Sequence, residues 1–368
     1  VRDAFEWRMP VAVSFGAGCA RGLAAALGER EALVMAFAPA RALGLADCWS
    51  ALLGARLIGW VDVPDGLSSI DRLRELAADV WPQLERNPNR VFIAVGGGTT
   101  LDLAKVLRCR PQSGGFEGIA AALRGDAPWP ELACATLWLL PTTAGTGSEV
   151  TRWATVWDTD AQPAAKRSFD EPFGFADRAF VDPLLTQSCP NAVTRDCALD
   201  ALAHALESIW NRHANPVSDR LAVSAARRVI RALPDCMHKP ADVALRSELS
   251  LAALEAGLAF SQTRTALAHA LSYDVTLAHG VPHGQACAIW LPTVWRLAVG
   301  VDARVDRALD EVFAGAVGAA RLQAWLQSVG MDARPEAYGI DNAPERIRAA
   351  LTSQRGRNFV GAMKAGRV

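Results

Sequence analysis

The strongest constraint on how this chain can fold is a change in the period of its apolar residues about half-way along. Through about residue 185, short apolar runs such as "VAVSFGAG", "ALVMAF", "VFIAVGGG" and "LWLLPTT" alternate with helix-patterned segments such as "ARGLAAALGE", "DRLRELAADVWPQLE" and "LDLAKVL". That alternation predicts an α/β domain built on a doubly wound, mostly parallel sheet. Beyond "DPLLTQSCP" the apolar residues recur at three and four, as in "TRDCALDALAHALESIW", "SDRLAVSAARRVIRAL" and "LRSELSLAALEAGLAF", which predicts an all-α domain. Two prolines, Pro183 and Pro190, bracket the change of period, and the expected domains are 1–185 and 186–368. A length of 368 residues suits two cores, since single cores usually stop growing beyond about 250 to 300 residues.

Composition narrows the partners. A formal net charge of −1 with 21% charged residues carries no electrostatic footprint for nucleic acid or a membrane surface. The longest apolar runs, such as "LACATLWLL", are about half of what a membrane helix needs, and the acidic start "VRDAFEW" does not have the pattern of a signal peptide. The expectation is a cytoplasmic protein that handles small molecules. Eight cysteines without a CxxC pair fit reduced, mostly buried thiols better than a disulfide framework or a zinc ribbon.

Two small-residue turns follow strand-like runs. Gly96, Gly97 and Gly98 come directly after "VFIAV" and lead into "TTLDLAK", so bare backbone N–H groups sit where a helix begins, an arrangement suited to a pyrophosphate. The alternative is a tight strand-to-helix turn in which Thr99 and Asp102 make a capping box. The second turn is "PTTAGTGSEVT", residues 141–151; no GK[ST] follows its glycines, so it is not a P-loop. Such turns belong where doubly wound sheets bind nucleotides, although alone this one also reads as a loop with local hydrogen bonds. "FGAG" at 15–18 lacks the full GxGxxG spacing and fits a plain turn.

Metal-ligand types cluster in the helical half. Asp200 and His204 are four apart, on one helix face, and could serve one ion or simply hydrogen-bond to each other. His269 is placed at the end of a helix-like segment, and His283 is held between Pro282 and Gly284 on a turn that could bring it back towards His269. One carboxylate and three imidazoles suit a divalent first-row metal with a position left for a substrate oxygen. His213, His238 and His279 have no comparable partner in sequence and read as surface or hydrogen-bonded histidines.

Taken together, "FGAG", "GGGTTLDLAK", "PTTAGTGSEVT", "VDPLLTQSCP", "DALAHALES", "LAHAL" and "VPHG" resemble, in order and spacing, the iron-containing (group III) alcohol dehydrogenase family. The resemblance implies a Rossmann-like domain followed by a helical domain with the active site in the cleft between them. It also implies NAD or NADP, one divalent metal (Fe2+, with Zn2+ as the alternative) and a homodimer or larger homo-oligomer. Carried over residue by residue, the metal ligands are Asp200, His204, His269 and His283. The cofactor contacts are Gly97, Gly98, Thr99 and Asp102 at the diphosphate turn, Thr142, Thr143 and Thr146 in the second loop, and Lys166 and Leu185. The implied reaction is hydride transfer between nicotinamide and a small aldehyde or alcohol.

Two departures from the family pattern stand out. Phe37 takes the place where many members have an aspartate for the adenosine ribose, which leaves NADPH open. Tyr273 takes the place of a frequent further histidine and is read as a proton donor, a substrate contact or a packing residue. "EVTRWATVWD" and "SQTRTALAHALSY" are similar to the phosphonate-associated branch that reduces phosphonoacetaldehyde. In them Arg152 and Arg264 could chelate an anionic group or be ordinary surface ions. The alternatives are another acidic carbonyl substrate, as in the maleylacetate reductases, and a non-catalytic scaffold. A dehydroquinate synthase reading lacks that enzyme's own site motifs.

Overall fold

In the computed structural model, residues 4–162, 164–313 and 317–365 are described; the first three residues of the "VRDAFEW" start lie outside them. The chain divides into two compact units. One comprises residues 10–143 and 148–188, and the other runs from Cys189 onward and takes in residues 144–147 and the N-terminal residues up to Met9.

The first unit is built on a parallel sheet. Its strands are β1 (Ala12–Phe15), β2 (Ala32–Phe37), β3 (Leu57–Val63), β4 (Val91–Gly96), β7 (Thr136–Pro141) and β10 (Arg178–Val181), in the order β1-β10-β7-β4-β2-β3. Two antiparallel hairpins complete the strands: β5 (Cys109–Pro111) with β6 (Leu132–Cys134), and β8 (Trp153–Asp158) with β9 (Ala165–Asp170). Helices α1 (Leu23–Leu27), α2 (Leu45–Leu53), α3 (Ile70–Glu85), α4 (Gly98–Leu107) and α5 (Phe116–Arg124) connect them.

Burial explains which runs form which strands. β4 is buried at every position while the edge strand β1 is largely exposed, as expected of a central and an outer strand in a sheet covered by helices. Asp182, just past β10, accepts from the backbone N–H of Gly18 at 2.8 Å and of Ala20 at 3.1 Å. The "FGAG" segment is thus a stapled turn, with Gly18 at φ 82 where only glycine is at ease.

The second unit is helical: α6 (Asn191–Ile209), α7 (Pro216–His238), α8 (Val243–Thr263), α9 (Leu267–His279), α10 (His283–Ala288) and further short helices from Leu291 to Ala365. α6 is its axis, buried continuously from Ala198 to Ile209. A helix buried all round is expected to be apolar all round. The polar residues Asp200, His204 and Glu207 on α6 therefore need a reason, because an unpaired buried charge costs several kcal/mol, as an order of magnitude.

Candidate metal centre and dinucleotide site

The polar face of α6 supplies that reason. Asp200, His204 and Glu207 follow one another at four and three residues, so they share a stripe. His269, from the first turn of α9, places its Nε2 3.5 Å from Asp200 Oδ1, and His204 Nε2 and His283 Nε2 each lie 3.8 Å from the same oxygen. The rings of His204 and His269 stack at 4.6 Å, those of His269 and His283 meet edge-on at 5.4 Å, and Phe260 covers the far face of His204 at 4.1 Å.

Asp200 Oδ1, His204 Nδ1 and His269 Nε2 are buried and have no hydrogen-bond partner among the described residues. Buried polar atoms are normally satisfied. A buried carboxylate oxygen with the Nε2 atoms of three histidines around it, His269 Nε2 and Asp200 Oδ1 unsatisfied and His283 Nε2 meeting the Cys287 thiol at 3.9 Å, forms a donor set that fits a divalent cation. Burial alone would raise the Asp200 carboxyl, yet His204, His269 and His283 around it hold it well below the usual carboxylate range. Asp200 is thus held as the anion that a cation needs.

Glu207 orients the set. Fully buried, it accepts from the backbone N–H groups of Ala266 at 2.7 Å, Ala268 and His269, and it meets His269 Nδ1 at 2.7 Å. Burial pushes its carboxyl up, but His269 and these N–H groups outweigh that and lower it. The ionised carboxylate holds a proton on His269 Nδ1, so Nε2 is the ring nitrogen directed at the cluster. Burial disfavours the imidazolium, but Cys287, Glu207 and Asp200 outweigh it and raise His269 well above the usual imidazole range, so a metal at Nε2 would bind in exchange for a proton. It also satisfies the orphan N–H groups at the start of α9, where the helix dipole favours a negative charge.

The placement of His269 corrects an expectation. The segment around it is not the end of a helix: α8 stops at Thr263, Arg264 takes φ 67, and α9 begins at Leu267. The break follows no glycine or proline, so the apolar period ran through it unseen. His283 is the first residue of α10 with Pro282 as its cap, and Gly284 behind it is obligatory in this packing, since a Cβ there would lie 1.8 Å from the Asp196 carbonyl oxygen of α6.

A residue missed in the sequence is Cys287. One turn after His283 on α10, its buried thiol joins Asp200, His269 and His283 in a group whose ligand atoms all lie within 4.8 Å of one another. His204 stands beside that tightest group. Burial raises the Cys287 thiol, but the neighbouring imidazoles of His269 and His283 bring it down to about 6. The spacing of four from His283 was the available signal, as that of seven from Asp200 was for Glu207. Tyr273, also on α9, is half-buried beneath the Arg355 guanidinium, 5.4 Å from its ring centroid, and Arg355 donates to Thr265 Oγ1 at 2.7 Å. His279 ends α9 outside the cluster.

In the sheet unit, Gly97 is the residue before α4 and Gly98 opens it, at the end of β4. A Cβ at Gly96 would fall 2.5 Å from Thr100 Oγ1, so a bare backbone is required there. No side chain caps α4, which overturns the capping-box alternative. Thr99 is exposed, and Asp102 accepts instead from Ser148 Oγ at 2.6 Å and Thr155 N at 2.8 Å. The N–H groups at the α4 start therefore keep their capacity for an anion. Thr142 donates its N–H to Gly96 O at 3.0 Å, and the Thr143 methyl lies 3.4 Å from where a Gly97 Cβ would stand. Lys166 Nζ lies over the Trp157 ring at 5.9 Å, and Leu185 is half-buried in the turn Pro183–Thr186. Thr146 belongs with the helical unit, where Cβ atoms on Gly145 and Gly147 would each come within 2.6 Å of α6 or α8 backbone. Arg152 is engaged by Asp170 at 2.7 Å.

Residues 10–183 match the family described as iron-containing alcohol dehydrogenase, and residues 194–354 match its C-terminal counterpart. The chain belongs to the iron-containing alcohol dehydrogenase family. Among curated relatives, it is 33% identical over 235 residues to the probable alcohol dehydrogenase EutG of Salmonella typhimurium, covering 63% of this chain and 54% of that protein. It is 32% identical over 241 residues to the phosphonoacetaldehyde reductase of Streptomyces viridochromogenes, covering 63% and 57%. These matches span about half the length of the relatives. The fold is that of the sulfoacetaldehyde reductase of Bifidobacterium kashiwanohense, solved with NAD+: TM-score 0.84 at 22% identity, over 99% of this chain and 98% of that one. As a member of that family, the chain carries the expected α/β and all-α parts in order. No helix among the described residues is long and apolar enough to cross a membrane.

Proposed function

We propose that this protein is a metal-dependent, NAD(P)-linked alcohol dehydrogenase or aldehyde reductase. The observation that carries the reading is the convergence of Asp200 with three imidazoles on one buried carboxylate oxygen. Asp200, His204, His269 and His283 would hold Fe2+, or Zn2+, with the Cys287 thiol beside them. When bound, the metal supplies Lewis-acid polarisation of a carbonyl oxygen. Glu207 would hold the Nδ1 proton of His269, so that Nε2 is the nitrogen that exchanges its proton for the metal. The α/β part, taken as 1–185, would bind the dinucleotide through Gly97, Gly98, Thr99, Asp102, Thr142, Thr143, Lys166 and Leu185. Thr146 would contribute from the second loop, and the helical part, 186–368, would hold the metal. Phe37, ending β2 without a carboxylate, leaves both NADH and NADPH as donors. The homodimer or larger oligomer belongs to the same reading and is checked by sedimentation equilibrium.

For the substrate we propose a small anionic aldehyde, phosphonoacetaldehyde first. Two of the similar proteins are named for two-carbon aldehydes carrying a phosphonate or a sulfonate. Tyr273 and Arg264 would face the substrate; Arg355, over the Tyr273 ring, is a further cation there. Arg152 is the weaker choice because Asp170 already engages it. The test is NADH or NADPH oxidation with phosphonoacetaldehyde, propanal, glycolaldehyde and maleylacetate. Highest kcat/KM for phosphonoacetaldehyde is expected; a preference for propanal removes the anionic substrate, and a preference for maleylacetate moves the protein to that other acidic class.

A further inference from the structure

Away from the candidate site, two cysteines face each other on the β5–β6 hairpin. Cys109 stands directly opposite Cys134 in the antiparallel register. Ala135 N donates to Arg108 O and Gln112 N to Glu131 O, both at 2.9 Å. These bonds make Arg108 and Gln112 hydrogen-bonded positions of the ladder, so by alternation Cys109 and Cys134 occupy a non-hydrogen-bonded pair. Such pairs bring opposed Cα atoms to about 4.5 Å with their side chains on one face, inside the range of about 4.4 to 6.8 Å that a disulfide tolerates. The two Sγ atoms are 3.2 Å apart. Closure to a bond of about 2.05 Å takes roughly 1 Å of side-chain movement.

We propose that Cys109 and Cys134 form a redox-active dithiol that closes to an intramolecular disulfide when it meets a small-molecule disulfide. The roles are asymmetric. Cys134 is exposed and Cys109 buried, so Cys134 meets the oxidant and Cys109 resolves. The hydrogen bond with Cys109, helped by Arg108, brings the Cys134 thiol down to about 7 against the effect of burial, while the same pairing and burial push Cys109 up. Cys134 therefore supplies the thiolate.

In the first step the Cys134 thiolate attacks one sulfur of RS–SR, forming a mixed disulfide and releasing RS−. In the second, Cys109 gives up its proton and attacks Cys134 Sγ, expelling the second RS−. Two protein thiols lose two electrons and two protons, and RS–SR becomes two RSH. The new bond would close residues 110–133, including α5, onto the end of α4. The ten residues of α4 separate it by about 15 Å from the glycine turn at the other end of that helix, so the bond forms without touching the proposed cofactor residues.

The experiment treats the reduced, full-length protein with glutathione disulfide under native conditions and follows free thiols, intact mass and linked peptides. The expected result is loss of two of the eight thiols, a mass lower by two hydrogens with no retained glutathione, and a Cys109–Cys134 linked peptide that reducing agent dissolves. Cys134→Ser, at an exposed position, should abolish that peptide, and Cys109→Ser should accumulate a stable glutathione adduct on Cys134. A wild-type protein that retains glutathione on Cys134 without the linked peptide would overturn the proposal. So would oxidation that falls on the exposed Cys48 while Cys134 stays reduced.

Discussion

At the scale of single residues, the proposed metal centre rests on a carboxylate that touches no proposed ligand except through His269. Glu207→Gln keeps the shape but removes the charge that fixes the His269 tautomer. By the general sensitivity of carboxylate–histidine–metal relays, metal affinity should fall about 10- to 100-fold, read by competition against a chromophoric chelator. His269→Ala should abolish tight binding and His279→Ala should leave it nearly unchanged. Equal losses in all three variants would contradict the ligand assignment. Legibility at this scale was uneven. Asp200 and His204 could be paired from their spacing of four, whereas Glu207 reads in sequence as one more helical glutamate. Its role depends on the start of α9, and that start depends on the break at Arg264, which has no glycine or proline to announce it.

At the scale of elements, α10 packs on α6 so closely that Gly284 has no room for a methyl group. Gly284→Ala should destabilise the protein by about 1–3 kcal/mol in urea denaturation, the usual cost of overpacking. It should also weaken metal binding, because α10 carries His283. A fully native urea midpoint would show that the contact yields cheaply.

In the sheet unit, Lys105 of α4 is fully buried, donating to Trp153 O at 2.6 Å, and burial lowers its ammonium to about 8 despite Asp102 and Glu149 nearby. Below pH 8 the lysine is charged in both folded and unfolded chains, and the burial penalty is fully present. Between pH 8 and about 10.5 the unfolded chain binds the proton that the folded one has lost, so stability rises with pH. Measured relative to Lys105→Met, which subtracts the other titrations, the wild type should gain roughly 3 kcal/mol across that window. A flat difference would mean that Asp102 and Glu149 keep Lys105 charged. The central strands and long helices were readable from period alone. β3, and the three-residue strands β5 and β6, were not: "LIGWVDV" has no clear alternation, and three residues are too few to show any.

For the whole molecule, the order of an α/β part and an all-α part was legible because it depends on hydrophobic period, which every element repeats. The expectation of mostly buried cysteines was not met, since Cys109, Cys236 and Cys287 are buried and the rest are half-buried or exposed. Of that rest, Cys48 and Cys197 sit on the less buried sides of α2 and α6, and the others lie in turns or the hairpin, where burial leaves no periodic trace. Metal should stabilise the fold by mass action, about 2.7 kcal/mol at a hundredfold excess over its dissociation constant, seen as a rise in melting temperature on adding Fe2+ or Zn2+ that His269→Ala lacks. The most direct test of the central claim is NAD(P)H oxidation by chelator-stripped protein with a small aldehyde, titrated anaerobically with Fe2+ or Zn2+. Activity that rises from near zero and saturates at about one metal per chain is the expected result; aldehyde-dependent oxidation at full rate before metal is added, or none after it, would contradict the account.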